Sequence, residues 1–105
     1  MSSIALPVHE SLHIGPIRIP NRVILAPMSG VSDLPFRRLA QRFGAGLVVS
    51  EMVASRQMLL DTKQSKQRMR FDRDAGPVCI QLAGTEPDIM ADAARLSADR
   101  GADII

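Results

Sequence analysis

Short apolar runs alternate with amphipathic segments along this chain, and that order constrains the fold more than anything else in the sequence. Val23-Ile24-Leu25-Ala26, Leu47-Val48-Val49 and Val78-Cys79-Ile80-Gln81-Leu82 are runs of the buried-strand type. Helical patterns follow the first and third of them, and a shorter one follows the second. Parallel neighbours need a covering crossover between them, so strand–helix alternation with short apolar strands predicts an α/β fold with a parallel sheet. The last residues, Gly101-Ala102-Asp103-Ile104-Ile105, stop a helix and begin a fourth apolar run. The expectation is therefore the N-terminal part of a larger βα enzyme, truncated at the start of strand four.

The punctuation between these runs is specific. Residues 1–10 read as an unstructured lead-in. Leu12-His13-Ile14 and Ile17-Arg18-Ile19 flank Gly15-Pro16 and predict a small β-hairpin, closed by Pro20-Asn21. After the first apolar run, Ser32 or Asp33 can cap a helix that carries Pro35 in its first turn. Phe36, Leu39, Ala40 and Phe43 follow the spacing of a buried stripe, with Arg37, Arg38, Gln41 and Arg42 facing away, and Gly44 ends the helix. A second helix is expected over about 54–60, then a polar basic stretch over 61–74 and a break at Asp74-Ala75-Gly76-Pro77. Thr85-Glu86-Pro87-Asp88 opens the last helix with Thr85 as cap, and Ile89, Ala93 and Leu96 form its buried stripe.

This alternation admits a doubly wound sheet or a (β/α)8 barrel. The first strand-to-helix turn, Pro27-Met28-Ser29-Gly30-Val31-Ser32, lacks the Gly-x-Gly-x-x-Gly of a dinucleotide fold. A plug-like hairpin ahead of the first strand suits a barrel floor.

Composition excludes several function classes. Three Phe and neither Tyr nor Trp disfavour aromatic stacking platforms for single-stranded nucleic acid in this segment. One cysteine, Cys79, rules out an internal disulfide framework and suits a reducing compartment. No apolar stretch approaches a membrane span, and Met1-Ser2-Ser3-Ile4-Ala5-Leu6-Pro7 lacks the charged and apolar regions of a secretory signal. A cytoplasmic location is expected. Net charge is only +2, but Arg56, Lys63, Lys66, Arg68, Arg70 and Arg73 crowd together around Asp61 and Asp72. They read as a solvated face or as a site for phosphates.

In a barrel, functional groups gather at the C-terminal ends of the strands. Those ends are Ala26-Pro27-Met28-Ser29, Ser50-Glu51-Met52 and Gln81-Leu82-Ala83-Gly84. They hold no metal-ligand cluster. His9 and His13 precede the first strand, on the wrong side for ligands. Lys63 and Lys66 lie off the strands, which removes a Schiff-base site from view. What remains is main-chain amides and one primary amide, a set suited to a planar hydrogen-bonding ring such as a flavin's pyrimidine edge. Gln81 can donate and accept, main-chain groups around Pro27, Met28 and Ser29 can meet the other edge, and Met28 can pack on the ring face. The alternative for Gln81 is an interior amide satisfied by backbone. Glu51 either orients a cofactor or a loop, or pairs with a neighbouring arginine. Cys79, inside the third strand, reads as inert and buried.

Leu25-Ala26-Pro27-Met28-Ser29-Gly30-Val31-Ser32-Asp33-Leu34-Pro35-Phe36-Arg37 resembles the opening signature of the tRNA-dihydrouridine synthases, in their NifR3-like bacterial branch. Gly44-Ala45-Gly46-Leu47 with Ser50-Glu51-Met52, Gln81-Leu82-Ala83-Gly84-Thr85-Glu86-Pro87 and the terminal Gly101-Ala102-Asp103-Ile104-Ile105 resemble later segments of that family. The resemblance runs from about Leu12 to the last residue. It implies an FMN-containing (β/α)8 TIM barrel followed by a helical tRNA-binding domain, with residues 1–105 as a partial barrel domain. It also implies reduction of uridine in tRNA to 5,6-dihydrouridine, NADPH (or NADH) reducing the flavin. Hydride then goes to C6 of the base and a cysteine protonates C5. Carried over, the family's flavin contacts fall on Pro27, Met28, Ser29 and Gln81. Ser29 is often Ala in the family, a change that a main-chain contact would survive. No catalytic residue is carried over, because the proton-donor cysteine is expected just beyond Ile105 and is not Cys79. The implied partner is tRNA, with no metal and no membrane.

Two other readings stand beside this one: another FMN barrel, of the dihydroorotate dehydrogenase type, and a non-catalytic regulatory half-barrel. A barrel of this type needs about 250 residues, and its flavin phosphate is usually held by loops after strands seven and eight. The 105-residue chain alone is therefore expected to be colourless and inactive. The synthase reading predicts Asp-x-Asn-x-Gly-Cys-Pro immediately downstream. Sequencing the codons after Ile105 checks this, and a strand end there without cysteine would sink the assignment.

Overall fold

The computed structural model describes residues 10–105; the lead-in expected before them, and His9, lie outside the described residues. The chain opens with an antiparallel hairpin, β1 (Leu12–Ile14) and β2 (Ile17–Ile19), paired Leu12 to Ile19 and Ile14 to Ile17. Gly15 supplies the positive φ of its turn, +53°. Then follow β3 (Ile24–Leu25), α1 (Leu34–Arg42), β4 (Leu47–Val48), β5 (Val53–Ala54), α2 (Ser55–Leu59), α3 (Lys63–Arg68), a 3-10 turn (Arg73–Ala75), β6 (Leu82–Ala83) and α4 (Pro87–Asp99). No described helix is long and apolar enough to cross a membrane.

The parallel strands neighbour one another in chain order. Ile24 and Leu25 pair with Leu47 and Val48, Val49 bridges to Cys79, and Cys79 bridges to Ile104. Val53 and Ala54 pair with Leu82 and Ala83. This progression differs from a doubly wound sheet, in which the first strand lies in the middle and the order reverses there. The described residues form an open α/β layer and no closed barrel.

Alternation along the strands sends side chains to two separate cores. On one face Ile19, Leu47 and Cys79 are buried together, with Leu12, Ile17, Val49 and Ile104 packed around them. The hairpin thus covers this face at one end of the strands. On the other face Val53, Met58, Val78, Ile80 and Ala93 form a core with Met69, Phe71, Leu82, Leu96 and Ala102. Helices α2 and α4 and the 69–71 segment supply that cover. Val78 and Ile80 face the helices, whereas Cys79 faces the hairpin, and period two puts Gln81 on the Cys79 face.

Helix α1 overturns one expectation. Asp33 caps it as one of the two candidates, its carboxylate accepting from the Phe36 N–H at 3.0 Å, and Pro35 sits in its first turn. The expected apolar stripe, however, is turned outward. Phe36, Leu39 and Phe43 are exposed, Phe43 at 85%, whereas Arg37, assigned to the outer face, is buried at 1%. Spacing defines a stripe, but a stripe is buried only where a surface meets it, and no described residue covers this one. The inward side is set by polar chemistry instead. Arg37 Nε donates to the Ser32 and Asp33 carbonyls at 3.1 and 3.3 Å, and its guanidinium lies 4.4 Å from the Phe71 ring centroid. A desolvated cation–π contact of this kind contributes about 2 kcal/mol.

Two smaller differences have local causes. Glu86, not Thr85, occupies the cap of α4, with no side-chain cap bond, because Pro87 takes the first helical position. The basic stretch contains α3, capped by Thr62 Oγ1 accepting from the Ser65 N–H at 3.2 Å. Its charges mask the helix in a hydrophobic pattern, since only Ser65 of α3 is buried.

Asn21 clasps the start of the parallel layer. Its Nδ2 donates to the Gly44 carbonyl at 2.7 Å and its Oδ1 accepts from the Val23 N–H at 2.9 Å. Gly46 N–H in turn donates to the Val23 carbonyl at 2.8 Å. A Cβ on Gly46 would lie 2.5 Å from Asn21 Oδ1 and 2.7 Å from the Asn21 carbonyl oxygen. Because one of those atoms is backbone, a side-chain rotation gives incomplete relief. Gly46→Ala should destabilise the protein by about 1–3 kcal/mol. Urea unfolding checks this, and an unchanged midpoint would show that the β3–β4 entry yields freely.

Candidate functional site

Three strand ends meet at the edge opposite the hairpin. After β3 the chain enters a tight turn whose geometry is set by Ser32, a fully buried residue. Ser32 Oγ accepts from the Met28 N–H at 2.7 Å and donates to the Met28 carbonyl at 3.1 Å. That carbonyl also accepts from the N–H groups of Val31 and Ser32, at 3.0 and 2.8 Å. Gly30 adopts φ +77°, a conformation costly for other residues. Its N–H donates to Glu51 Oε1 at 2.6 Å.

Glu51 stands on an irregularity. Four residue steps separate Val49 from Val53, against three between their partners Cys79 and Leu82. One extra residue is thus accommodated between β4 and β5, a bulge that re-aims side chains at the strand end. Ser50 spans it: its N–H donates to the Cys79 carbonyl at 3.0 Å, and its Oγ donates to the Glu51 carbonyl at 3.0 Å and accepts from the Gln81 N–H at 3.0 Å. Glu51 itself is 8% exposed. Of the two roles open to it, the structure shows loop orientation; its carboxylate binds an amide of the β3 turn rather than a guanidinium.

The four candidate residues therefore lie at one end of the sheet. Pro27, Met28 and Ser29 are on the turn that Glu51 grips, and Gln81 is held by main-chain bonds to Ser50 and Val53. Both polar main-chain groups of Met28 are engaged within the turn, so its contribution to a ligand is its half-exposed side chain. Ser29 N–H has no partner among the described residues. The Gln81 side chain is exposed and its amide has no partner among the described residues. A primary amide at one strand end and a main-chain N–H with a methionine at another are groups able to hydrogen-bond and pack against a planar ring.

Basic groups rim this end. A cleft of about 410 Å³ is lined by Gly30, Asp33, Glu51, Gln67, Arg68 and Arg70, among others. Arg68 Nη1 donates to the Met52 carbonyl at 2.6 Å, joining α3 to the bulge. Other charges are paired at the surface: Lys66 with Asp61 at 3.2 Å, Arg56 with Glu86, and Arg38 with Asp72 through bonds of 2.5 and 2.7 Å. The Arg38 guanidinium holds the Asp72 carboxyl below its usual range. A slightly larger cleft, about 460 Å³, lies against Val78 and Ile80 on the helix side of the sheet, away from the strand ends. Cys79 is buried beneath the hairpin, and burial pushes its thiol up. Among the described residues no group of His, Cys, Asp and Glu could hold a metal ion.

Sequence reasoning undervalued Glu51 and Arg37 and missed Ser32's role in the turn. For Ser32 the signal was present, a hydroxyl four residues after the proline-methionine step, but it competed with a capping role that Asp33 took.

Comparison with known proteins follows the same residues. The family model described as "Dihydrouridine synthase (Dus)" matches residues 24–105. A "Probable tRNA-dihydrouridine synthase" of Rickettsia bellii is 55% identical over 95 residues, 90% of this chain and 29% of that protein. A protein of the same name from Rhizobium leguminosarum bv. phaseoli is 60% identical over 89 residues, 83% of this chain and 27% of that one. A "tRNA-dihydrouridine synthase B" of Vibrio vulnificus is 48% identical over 94 residues, 90% of this chain and 29% of that protein. The chain thus spans less than a third of the length of the curated relatives it matches. With the signature turn, the gripped glycine and the strand-end glutamine all inside the matched region, the chain belongs to the dihydrouridine synthase family.

Proposed function

We propose that these residues form the opening part of the catalytic barrel domain of a cytoplasmic tRNA-dihydrouridine synthase, which reduces uridines of tRNA with FMN and NADPH or NADH. The observation that carries this reading is the family match over residues 24–105, coinciding with a strand-end donor set suited to a flavin. The in-order parallel strands and the hairpin beneath them agree with the first part of a (β/α)8 barrel.

FMN, when bound, supplies the hydride chemistry. The chain's own part is to bind and orient the ring. Gln81 would offer a donor and an acceptor to the ring, Ser29 N–H and the Pro27 carbonyl would supply further polar groups, and the Met28 thioether would give it an apolar contact. The Ser32 and Glu51 bonds hold the turn in place before the ring arrives, so little ordering cost remains at binding. Arg68 and Arg70, at the cleft beside Gly30 and Glu51, are placed to meet phosphates of an RNA whose target base has been turned out of its stack.

The direct test is incubation of a full-length protein carrying these residues with FMN, NADPH and unmodified tRNA. Mass analysis of the nucleosides should show uridine gaining two hydrogens; a flavin-loaded, reducible protein that leaves tRNA unchanged would overturn the reading. Gln81→Ala should cost about 1–3 kcal/mol of FMN binding through unpaired ring atoms while the apo-protein melts as before. Flavin titration checks this, and unchanged affinity would remove Gln81 from the site. For the basic stretch from Arg56 to Arg73, each of Lys66→Ala, Arg68→Ala and Arg70→Ala should lower the salt slope of tRNA binding by roughly one unit. Slopes equal to the parent's in all three would make this an ordinary solvated surface.

A further inference from the structure

One buried cation has no part in the proposed chemistry. Arg37 is 1% exposed, yet Nη1 and Nη2 have no hydrogen-bond partner among the described residues. A buried guanidinium in that state is costly, and an apolar side chain of similar length would fill the space without the cost. What the cation does make is a link with two ends. At one end Nε donates to the Ser32 and Asp33 carbonyls, at 3.1 and 3.3 Å, which holds the close of the turn that follows β3. At the other the guanidinium carbon lies 4.4 Å from the centroid of the Phe71 ring. Phe71 follows Arg70 directly in the chain, and Arg70 lines the cleft beside Gly30 and Glu51.

The neighbours of Arg37 on α1 extend the link. Arg38 pairs with Asp72 through two bonds, and Gln41 Nε2 donates to the Ala75 carbonyl at 3.1 Å. Gln41 stands one helical turn beyond the two arginines, so the three meet the segment over 71–75 on one side of α1. The side-chain bonds of Arg38 and Gln41 reach that segment alone, whereas the contacts of Arg37 reach the segment and the turn together.

We propose that Arg37 is a positioning residue that ties the β3 turn to the basic segment through Phe71, so that the strand-end groups and Arg70 keep one spacing. This rests on the reading that the strand ends hold FMN and that Arg70 meets tRNA phosphates. Arg37 touches neither ligand; it acts through the Ser32 and Asp33 carbonyls and the Phe71 ring. A base whose phosphates are anchored on one element has to arrive in register at a ring held by another, and misplacement there lowers turnover more than binding.

Two single variants of the full-length protein, and their combination, test this. Phe71→Leu keeps an apolar side chain against the helix-side core and removes the ring; Arg37→Met keeps the stem and removes the cation. Hydrogen exchange without FMN or tRNA is followed over 30–33 and 72–75. The Ile80 N–H, bonded to the Ile104 carbonyl at 3.0 Å, is the reference for general opening of the sheet. Phe71→Leu should speed exchange in the turn about tenfold, although the substitution lies in the other element, and Arg37→Met should speed it in both stretches by a similar factor. The Ile80 N–H should stay within about threefold of the parent, and the double variant should exchange no faster than Arg37→Met, as expected of one shared contact. With saturating FMN, Phe71→Leu should lower turnover of unmodified tRNA about tenfold while the tRNA dissociation constant stays within about threefold of the parent. Parent-like exchange at the far end, the turn in Phe71→Leu or residues 72–75 in Arg37→Met, overturns the proposal, and so does a rise no larger than that at Ile80. Parent-like turnover in a variant whose turn exchanges faster overturns it as well. If one variant does not fold, the other decides. A parent protein that takes up no FMN or leaves tRNA unchanged counts against the synthase reading alone, since exchange still shows whether the turn and the segment are tied.

Discussion

A parallel sheet has two faces to bury, and that requirement organises this chain. Each crossover covers only the face on which its helix lies. Here α2 and α4 take one face, and the opposite face would present Leu47, Val49, Cys79 and Ile104 to water without the β1–β2 hairpin. The hairpin covers that face at the end where the strands begin. No described residue covers the end where they finish, and the residues proposed to meet a ligand lie there. The location of the proposed site thus follows from which part of the sheet the hairpin leaves uncovered.

At that end the molecule relies on short polar bonds. Ser32 closes the β3 turn on both polar groups of Met28, Glu51 reaches across from the neighbouring strand to Gly30, and Ser50 ties the bulge to Gln81. Loops held this way keep their shape without a ligand, and sites built on rigid supports orient their partners better than mobile ones. The bulge serves the same purpose. A regular ladder through residues 49–53 would put Val49 and Val53 on one face; the extra residue instead sends Val49 to the hairpin-side core and Val53 to the helix-side core.

Much of the layout could be read from the sequence. The hairpin, the three apolar strands, α1 with its Asp33 cap, and α4 follow from period and punctuation, which are local properties. That Pro27, Met28, Ser29 and Gln81 lie at strand ends was legible because a βα repeat fixes where each apolar run stops. Less legible were features that depend on tertiary surroundings. Arg37 carries a long apolar stem and was assigned outward because charge normally seeks water; its burial depends on Phe71, 34 residues later in the chain. Phe36, Leu39 and Phe43 show the converse, a correct stripe with no described surface to receive it. Helix α3 was hidden because its buried contribution is a serine.

Cys79 gives the two-core arrangement a chemical consequence. It is the sole thiol of the chain and lies between the hairpin and the sheet, in contact with Ile19 and Leu47. Burial keeps it protonated at neutral pH, so it is both shielded and unreactive while the hairpin stays seated. Alkylating reagents meet this sulfur only when the hairpin lifts or the sheet opens. The rate of thiol labelling therefore records how often that floor detaches, separately from the polar turn at the opposite end, and does so without any introduced probe.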